Sequence, residues 1–438
     1  MNSIASPRRT KVGVAGTVSL ARLSTAYAAL LLTVLIVTFR PFQPAGGEGA
    51  SEGGDIVNQL GFSSLGGLAL IGILCLADPR KVSLLFGISW VLLLSLLMLG
   101  VVNAAEPPAA FRAAFFTLMA MATMLAVLVI PRDADAFSMV LAVAGLTVIG
   151  VSYFGLVALP ETAIHTSASA EPQHAGLWRG LFPHKNVAGP VMACFSFAGF
   201  YLMRRGWRWT GIVMFLAAMI FMANTGSKTT AGLVPLAIGI VILPGLIGMR
   251  QLTAVLFAVA VVGTGVATLG MVFIDPIGDL ILSYIPDLTY TGRTTLWEYA
   301  GEMIAKRPWT GYGFDSFWGS KMLLATDKPF DSAWDIRTIV HGHDGYLDIA
   351  LTLGLPAVVV AVFALLIAPA RDFLRVPLLK ENVYLADLFM MIVMFTALNA
   401  FLESFFFRRA DPVWLFMVLG AFGLRLVARM PMPTSAPR

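Results

Sequence analysis

The feature that most limits how this chain can fold is a series of apolar runs, each about 17–25 residues long, the length that crosses the hydrocarbon core of a bilayer. In lipid a segment must satisfy its backbone hydrogen bonds internally, and a single run of this length does so only as an α-helix. Twelve runs qualify, at about 23–39, 60–77, 82–103, 109–131, 136–158, 187–203, 207–223, 229–248, 251–273, 346–370, 383–405 and 412–428. The residues are 58% hydrophobic and 13% charged, with a mean hydropathy of +0.81, which excludes an ordinary soluble domain. The predicted fold class is all-α, a polytopic membrane protein of about 12 transmembrane helices. It forms a single membrane domain over 1–438, with tails at 1–22 and 429–438 and a large loop, 274–345, between spans 9 and 10. Cys75 and Cys194 both fall in apolar runs and read as small buried hydrophobes, with no disulfide framework.

The basic residues of the short loops set the orientation. Arg80, Lys81, Arg132, Arg204, Arg205, Arg208, Arg250, Arg371, Arg375, Lys380, Arg425 and Arg429 fall on the side of the N-terminus. The opposite short loops hold Arg40, Arg112, Arg179, Lys185, Lys228, Arg408 and Arg409. The excess marks the N-terminal side as cytoplasmic, so both termini are expected there and loop 274–345 outside. The net charge of +5 is accounted for by this signal, and no nucleic-acid partner is expected. The first span, preceded by Arg8, Arg9 and Lys11, reads as a retained signal anchor because no small-residue cleavage pattern follows it. The spans themselves are almost free of ionisable residues, whereas a transporter or lipid-sugar flippase needs a polar path through them.

Charge and aromatic residues concentrate instead in 274–345, a loop too long to be a mere connection. Within it, Thr-Thr-Leu-Trp-Glu-Tyr-Ala-Gly-Glu-Met-Ile-Ala-Lys is an amphipathic helix with an apolar side of Leu296, Trp297, Ala300, Met303 and Ile304. Thr295 and Glu298 form an expected capping box, Glu302 and Lys306 an i,i+4 pair, and Pro308 a stop. Arg293 is expected just ahead of this helix. The following Gly-Tyr-Gly-Phe-Asp-Ser-Phe-Trp-Gly suits stacking on sugar rings or packing against headgroups. His341 and His343 stand where the chain re-enters the membrane; were that stretch already helical, residues two apart would face different ways and act separately.

A second polar segment, 159–185, ends in Trp178-Arg179-Gly-Leu-Phe-Pro-His184-Lys185-Asn. Its His165, His174 and His184 match no ligand spacing, so no metal is expected. Arg179 and Lys185 bracket a turn before a helix, a plausible anion site. The Thr225-Gly-Ser-Lys228-Thr stretch lacks the upstream glycine of a phosphate-binding loop, and Lys228 reads as an interfacial cation beside the same mouth.

In their order, WRGLFPHKN, TGSKT, TGRTTLW, RPWTGYGFDSFW and HGHDGYLDIALTLGLP resemble the O-antigen ligase and polymerase superfamily, most closely its exopolysaccharide-polymerase branch. The motifs cover about Trp178 to Pro356. The resemblance implies a glycosyltransferase of the bacterial inner membrane, using an undecaprenyl-diphosphate-linked glycan as donor and a glycan or lipid-linked acceptor. It implies no cofactor and no metal; membrane lipids and a chain-length regulator are further expected partners. Carried over by position, Arg293 and His343 are expected as catalytic residues, and Arg179, Arg293, Lys185, Lys228 and His341 as binding residues for diphosphate and glycan. Asp344 stands where the family more often has Asn or Ser. A ligase acting on lipid A-core is the near alternative, a flippase or transporter the remote one.

Overall fold

The computed structural model describes residues 12–43, 55–168, 172–286, 288–290, 292–327 and 335–432. Arg8, Arg9, Lys11, Trp334, most of the Gly-rich loop after Gln43 and the tail from 433 lie outside the described residues. Sixteen helices carry the argument: α1 (Val12–Val37), α2 (Ile56–Leu76), α3 (Pro79–Leu85), α4 (Ile88–Val102), α5 (Pro107–Val129), α6 (Ala134–Ala158), α7 (Lys185–Arg204), α8 (Arg208–Asn224), α9 (Lys228–Leu246), α10 (Leu252–Phe273), α11 (Asp275–Tyr284), α12 (Arg293–Lys306), α13 (Gly345–Leu353), α14 (Leu355–Leu374), α15 (Lys380–Asn399) and α16 (Pro412–Arg429). The described residues contain no named strand, only one isolated bridge between Ile164 and Trp178. The chain is an all-α polytopic membrane protein.

Ten of these helices are long and apolar enough to cross a membrane, and the pair α3 and α4, bent by 63°, makes an eleventh span. α8, at 17 residues, occupies the place of the expected seventh. Two expected spans are therefore not single rods. The third breaks at Phe86-Gly87, and the tenth breaks at Gly354, whose φ of +88 is open to glycine at little cost. A side chain at Gly354 would also meet the Trp309 carbonyl oxygen at 2.4 Å. The Leu355 amide donates to Pro308, and Pro356 then restarts the helix where a missing N–H does no harm.

α7, α15 and α16 form the centre of the bundle, with 78%, 83% and 78% of their most apolar stretches buried, against 17% for α10. Phe195 of α7 meets Phe416 of α16, and Phe197 meets Phe395 of α15, both edge to face. The interior is less free of charge than expected. Asp387 on α15 is buried and paired with Arg204 at 2.7 Å and Arg250 at 3.0 Å. Arg205 pairs with Glu381 at 2.6 Å and Asp135 at 3.0 Å. These pairs lie at the ends of helices, where sequence alone reads the arginines as solvated topology signals.

The loop helix forms as expected on its apolar side: Leu296, Trp297, Ala300, Met303 and Ile304 are all buried. It starts earlier, however. Gly292, at φ +80, precedes the first turn, the Thr295 hydroxyl donates to its carbonyl, and Arg293 is the first helical residue rather than a flank. The expected capping box therefore does not form. The apolar side of α12 is covered by protein. Trp297, Met303 and Ile304 pack with Tyr312, Phe317, Leu323, Leu347 and Leu351 into a second core above the bundle. The Gly-aromatic turn is held by backbone bonds, Tyr312 to Leu351 at 2.9 Å, Gly313 to Thr352 at 3.0 Å and Phe314 to Gly100 at 2.9 Å. Its Tyr312, Phe314 and Phe317 are core residues, not an exposed sugar platform.

Candidate functional site

The site forms where α12, the turn before α13, the first turn of α7 and the turn after α15 meet. α15 stops at Asn399, short of the expected span end at 405. Residues Ala400 to Asp411 then fold back over the bundle before Asp411 caps α16 through the Val413 and Trp414 amides. This brings Glu403 under α12. Arg293 donates Nη2 to Oε1 of Glu403 at 3.0 Å and Nη1 to the Leu402 carbonyl. The amide of Asn186, in the first turn of α7, donates to the same Oε1 at 3.0 Å. Nδ1 of His343 stands 3.5 Å from the other oxygen, Oε2. Burial alone would raise the Glu403 pKa, but His343 and Arg293 outweigh it and hold the carboxyl below its ordinary value, as a carboxylate.

The His341-Gly342-His343 turn is gripped on both sides of its glycine. The Trp297 indole donates to the Gly342 carbonyl at 3.0 Å, and the Gly342 amide donates to both oxygens of Asp348 at 3.1 Å. A side chain at 342 would meet Asp348 Oδ1 at 2.6 Å. The Trp318 indole binds Asp348 from the far side at 2.7 Å. Asp344 begins α13 by accepting from the Tyr346 and Leu347 amides, each at 2.9 Å, and Gly345 donates to the Ala400 carbonyl at 2.7 Å. Burial keeps the Asp344 pKa well above its ordinary value.

The premise that His341 and His343 face different ways on a helix does not hold. Helix α13 begins only at Gly345, and His343 sits at φ +52, so the two rings meet with centroids 4.1 Å apart. Nδ1 of His341 accepts the His343 amide at 3.4 Å. The His341 pKa lies well below its ordinary value, first through burial and then through the nearby Arg408, His343, Arg293 and His184. A neutral imidazole whose Nδ1 is an acceptor carries its hydrogen on Nε2. His341 can therefore offer a hydrogen bond there, and its surroundings oppose taking up a second proton.

The remaining expected residues divide. Arg179 is 1% exposed, and its Nη1 donates to the carbonyls of Gln43 at 2.7 Å, Pro183 at 2.9 Å and Phe182 at 3.4 Å. Its guanidinium braces the turn, and burial lowers its pKa. Lys185 is buried at the start of α7, with its amide 3.3 Å from Nε2 of His165. Lys228 is exposed at the start of α9, on a loop whose Thr225 and Thr230 hydroxyls lie beside Gly189 of α7. His165, His174 and His184 do come together, with ring centroids 5.0–5.8 Å apart. Among the described residues no group of three ligating side chains could hold a metal ion.

Glu403, Asn186 and Arg408 are absent from the sequence-based site. Glu403 falls in Phe-Leu-Glu-Ser-Phe-Phe-Phe, an apolar run that hides the end of α15. The one available signal is a carboxylate, one of two with Asp387 in the segment read as span 383–405, a position costly enough to mark a functional group.

Residues 211–362 match the family model described as O-Antigen ligase. That segment contains Lys228, Arg293, His341 and His343 but not Arg179, Lys185 or Glu403. Over 205 residues the chain is also 25% identical to the exopolysaccharide production protein ExoQ of Rhizobium meliloti (strain 1021), covering 43% of this chain and 45% of that protein. The chain thus spans about half the length of the curated relative it matches. Part of this multi-pass, all-α membrane protein is thus similar to the O-antigen ligase family, and part to a protein of exopolysaccharide production.

Proposed function

We propose that the protein polymerises undecaprenyl-diphosphate-linked repeat units, moving the growing glycan onto an acceptor sugar hydroxyl at the outer face of the bacterial inner membrane. The observation that carries this reading is the meeting of Arg293, His343 and Glu403, from three separate segments, at the end of the bundle that bears the 274–345 loop. His343 presents Nδ1 to Glu403, which leaves Nε2 as the base. The acceptor hydroxyl gives its proton to Nε2 as its oxygen bonds to the anomeric carbon. The bond from that carbon to the diphosphate oxygen breaks, and undecaprenyl diphosphate leaves with the electron pair. The planar, permanently charged guanidinium of Arg293 suits the oxygens on which that charge develops. His341 offers its Nε2 hydrogen to substrate, Lys228 adds cationic charge at the mouth, and Arg179 and Lys185 contribute through the turn and helix start they hold in place.

The relative's role in exopolysaccharide production favours polymerisation; the matched family's description, O-Antigen ligase, favours a second reading in which lipid A-core is the acceptor. A deletion strain complemented with His343→Ala at matched membrane level tests the chemistry common to both. Loss of polymer, with lipid-linked repeat units accumulating, is expected, since a general base contributes about 10²–10⁴-fold. Wild-type polymer length would overturn it. The linkage of the product made by the unaltered protein, to lipid diphosphate or to lipid A-core, separates the two readings.

A further inference from the structure

We propose that Glu403 is the positioning residue of the transfer, its Oε2 fixing the tautomer and direction of the His343 imidazole while its Oε1 holds Arg293 beside it. The inference rests on the reading above, in which His343 is the base. It concerns a residue outside the segment matched by the family model, which ends at 362. Two donors and an imidazole, from three elements, converge on one carboxylate. Asn186 and Arg293 take Oε1, each at 3.0 Å, and His343 faces Oε2 at 3.5 Å.

The division between the two oxygens matters chemically. An imidazole whose Nδ1 hydrogen points at a carboxylate keeps its basic lone pair on Nε2 and gains electrostatic support when that nitrogen is protonated. His343 needs such support, because Arg293 is close and Arg408 acts on the adjacent His341. Without Glu403, an imidazolium forming there would lose the carboxylate that faces it at 3.5 Å. Oε1 meanwhile leaves Arg293 attached to the turn after α15, so base and cation keep a fixed separation through one side chain. Asn186 holds that side chain in turn, and α7, the helix that supplies it, lies in the buried centre of the bundle.

The test uses the full-length protein in lipid nanodiscs, with purified lipid-linked repeat units as substrate. Glu403→Gln keeps the shape and the bond from Arg293 but removes the charge. Its kcat is expected to fall about 10²-fold with the donor KM unchanged, because Arg293 keeps its bond while the base loses its counter-charge. The acidic limb of the rate profile is expected to move to lower pH, since the protonated base loses its counter-charge. Glu403→Asp, which keeps the charge on a shorter arm, is expected to restore part of kcat and the position of that limb. A Glu403→Gln enzyme with unaltered kcat and pH profile overturns the inference. So does a loss confined to KM, which would reduce Glu403 to a strut for Arg293. If Glu403→Gln fails to accumulate, Glu403→Asp carries the test, and a full wild-type kcat from it is the overturning result. His343→Ala is assayed alongside: activity retained there refutes the underlying reading, whereas a silent Glu403→Gln beside a dead His343→Ala refutes only this inference.

Discussion

At the scale of single residues, the site depends on what each side chain can still do once its neighbours are counted. Arg293 uses one amino group on Leu402 and the other on Glu403, so it is already forked towards two oxygens. Lysine keeps the charge but cannot span both. Arg293→Lys is expected to accumulate normally and lose at least about tenfold in polymer formation, corresponding to roughly one charge-assisted hydrogen bond; wild-type polymer length on a gel would reduce Arg293 to a surface cation. His341, limited to donating from Nε2, is expected to be the milder loss, so His341→Ala should still make polymer. Its depressed pKa also has a sign in stability. In the unfolded chain His341 takes a proton near pH 6.5, while the folded site resists it, so its contribution is present above that pH and is lost as pH falls below it. The melting temperature in detergent should decline below about pH 6.5, and His341→Ala should flatten that slope; an equal slope in both proteins would place the titration elsewhere.

At the scale of elements, the sequence is legible where one helix decides the outcome and opaque where two segments meet. The apolar side of α12 can be read from its spacing because burying Leu296, Trp297, Ala300, Met303 and Ile304 needs only a helix and a surface. That the surface is a second core of aromatic residues, and not lipid, cannot be read, because Tyr312 and Phe317 suit either setting. The pairing of His341 with His343 was hidden by the assumption of a helix where Asp344 in fact caps one. Glu403 was hidden by the phenylalanines around it. The turn that holds the histidines gives its own prediction. Gly342→Ala would set a methyl group 2.6 Å from Asp348 Oδ1, so either the carboxylate or the turn must move. Activity should fall while α12 and α13 remain folded, at a stability cost of about 1–3 kcal/mol. An alanine variant with full activity would show that the grip on Gly342 is not what orients the imidazoles.

At the scale of the whole molecule, the twelve expected segments all appear as helices, two of them broken, and the charged residues sort towards the two ends. Toward the other end of α15 from the site, Asp387 answers both Arg204 and Arg250. Asp387→Ala would leave two partly buried guanidiniums without their counter-ion, an expected loss of about 1–3 kcal/mol, read as a lower melting temperature with the catalytic pH profile unmoved. An unchanged melting temperature would mean that water reaches the pair. The orientation is tested by a reporter inserted near the exposed Lys321, which should be active only in the extracytoplasmic form. The cluster around Glu403 has a consequence for synthesis as well. Arg293 and the carboxylate that receives it are separated by 110 positions in the chain, with α13, α14 and α15 made in between. A ribosome that has just delivered the two histidines to the membrane has therefore made Arg293 without the carboxylate that receives it. On the proposed reading, the site is complete only when the turn after α15 reaches α12, so chains truncated before Glu403 are expected to be inactive.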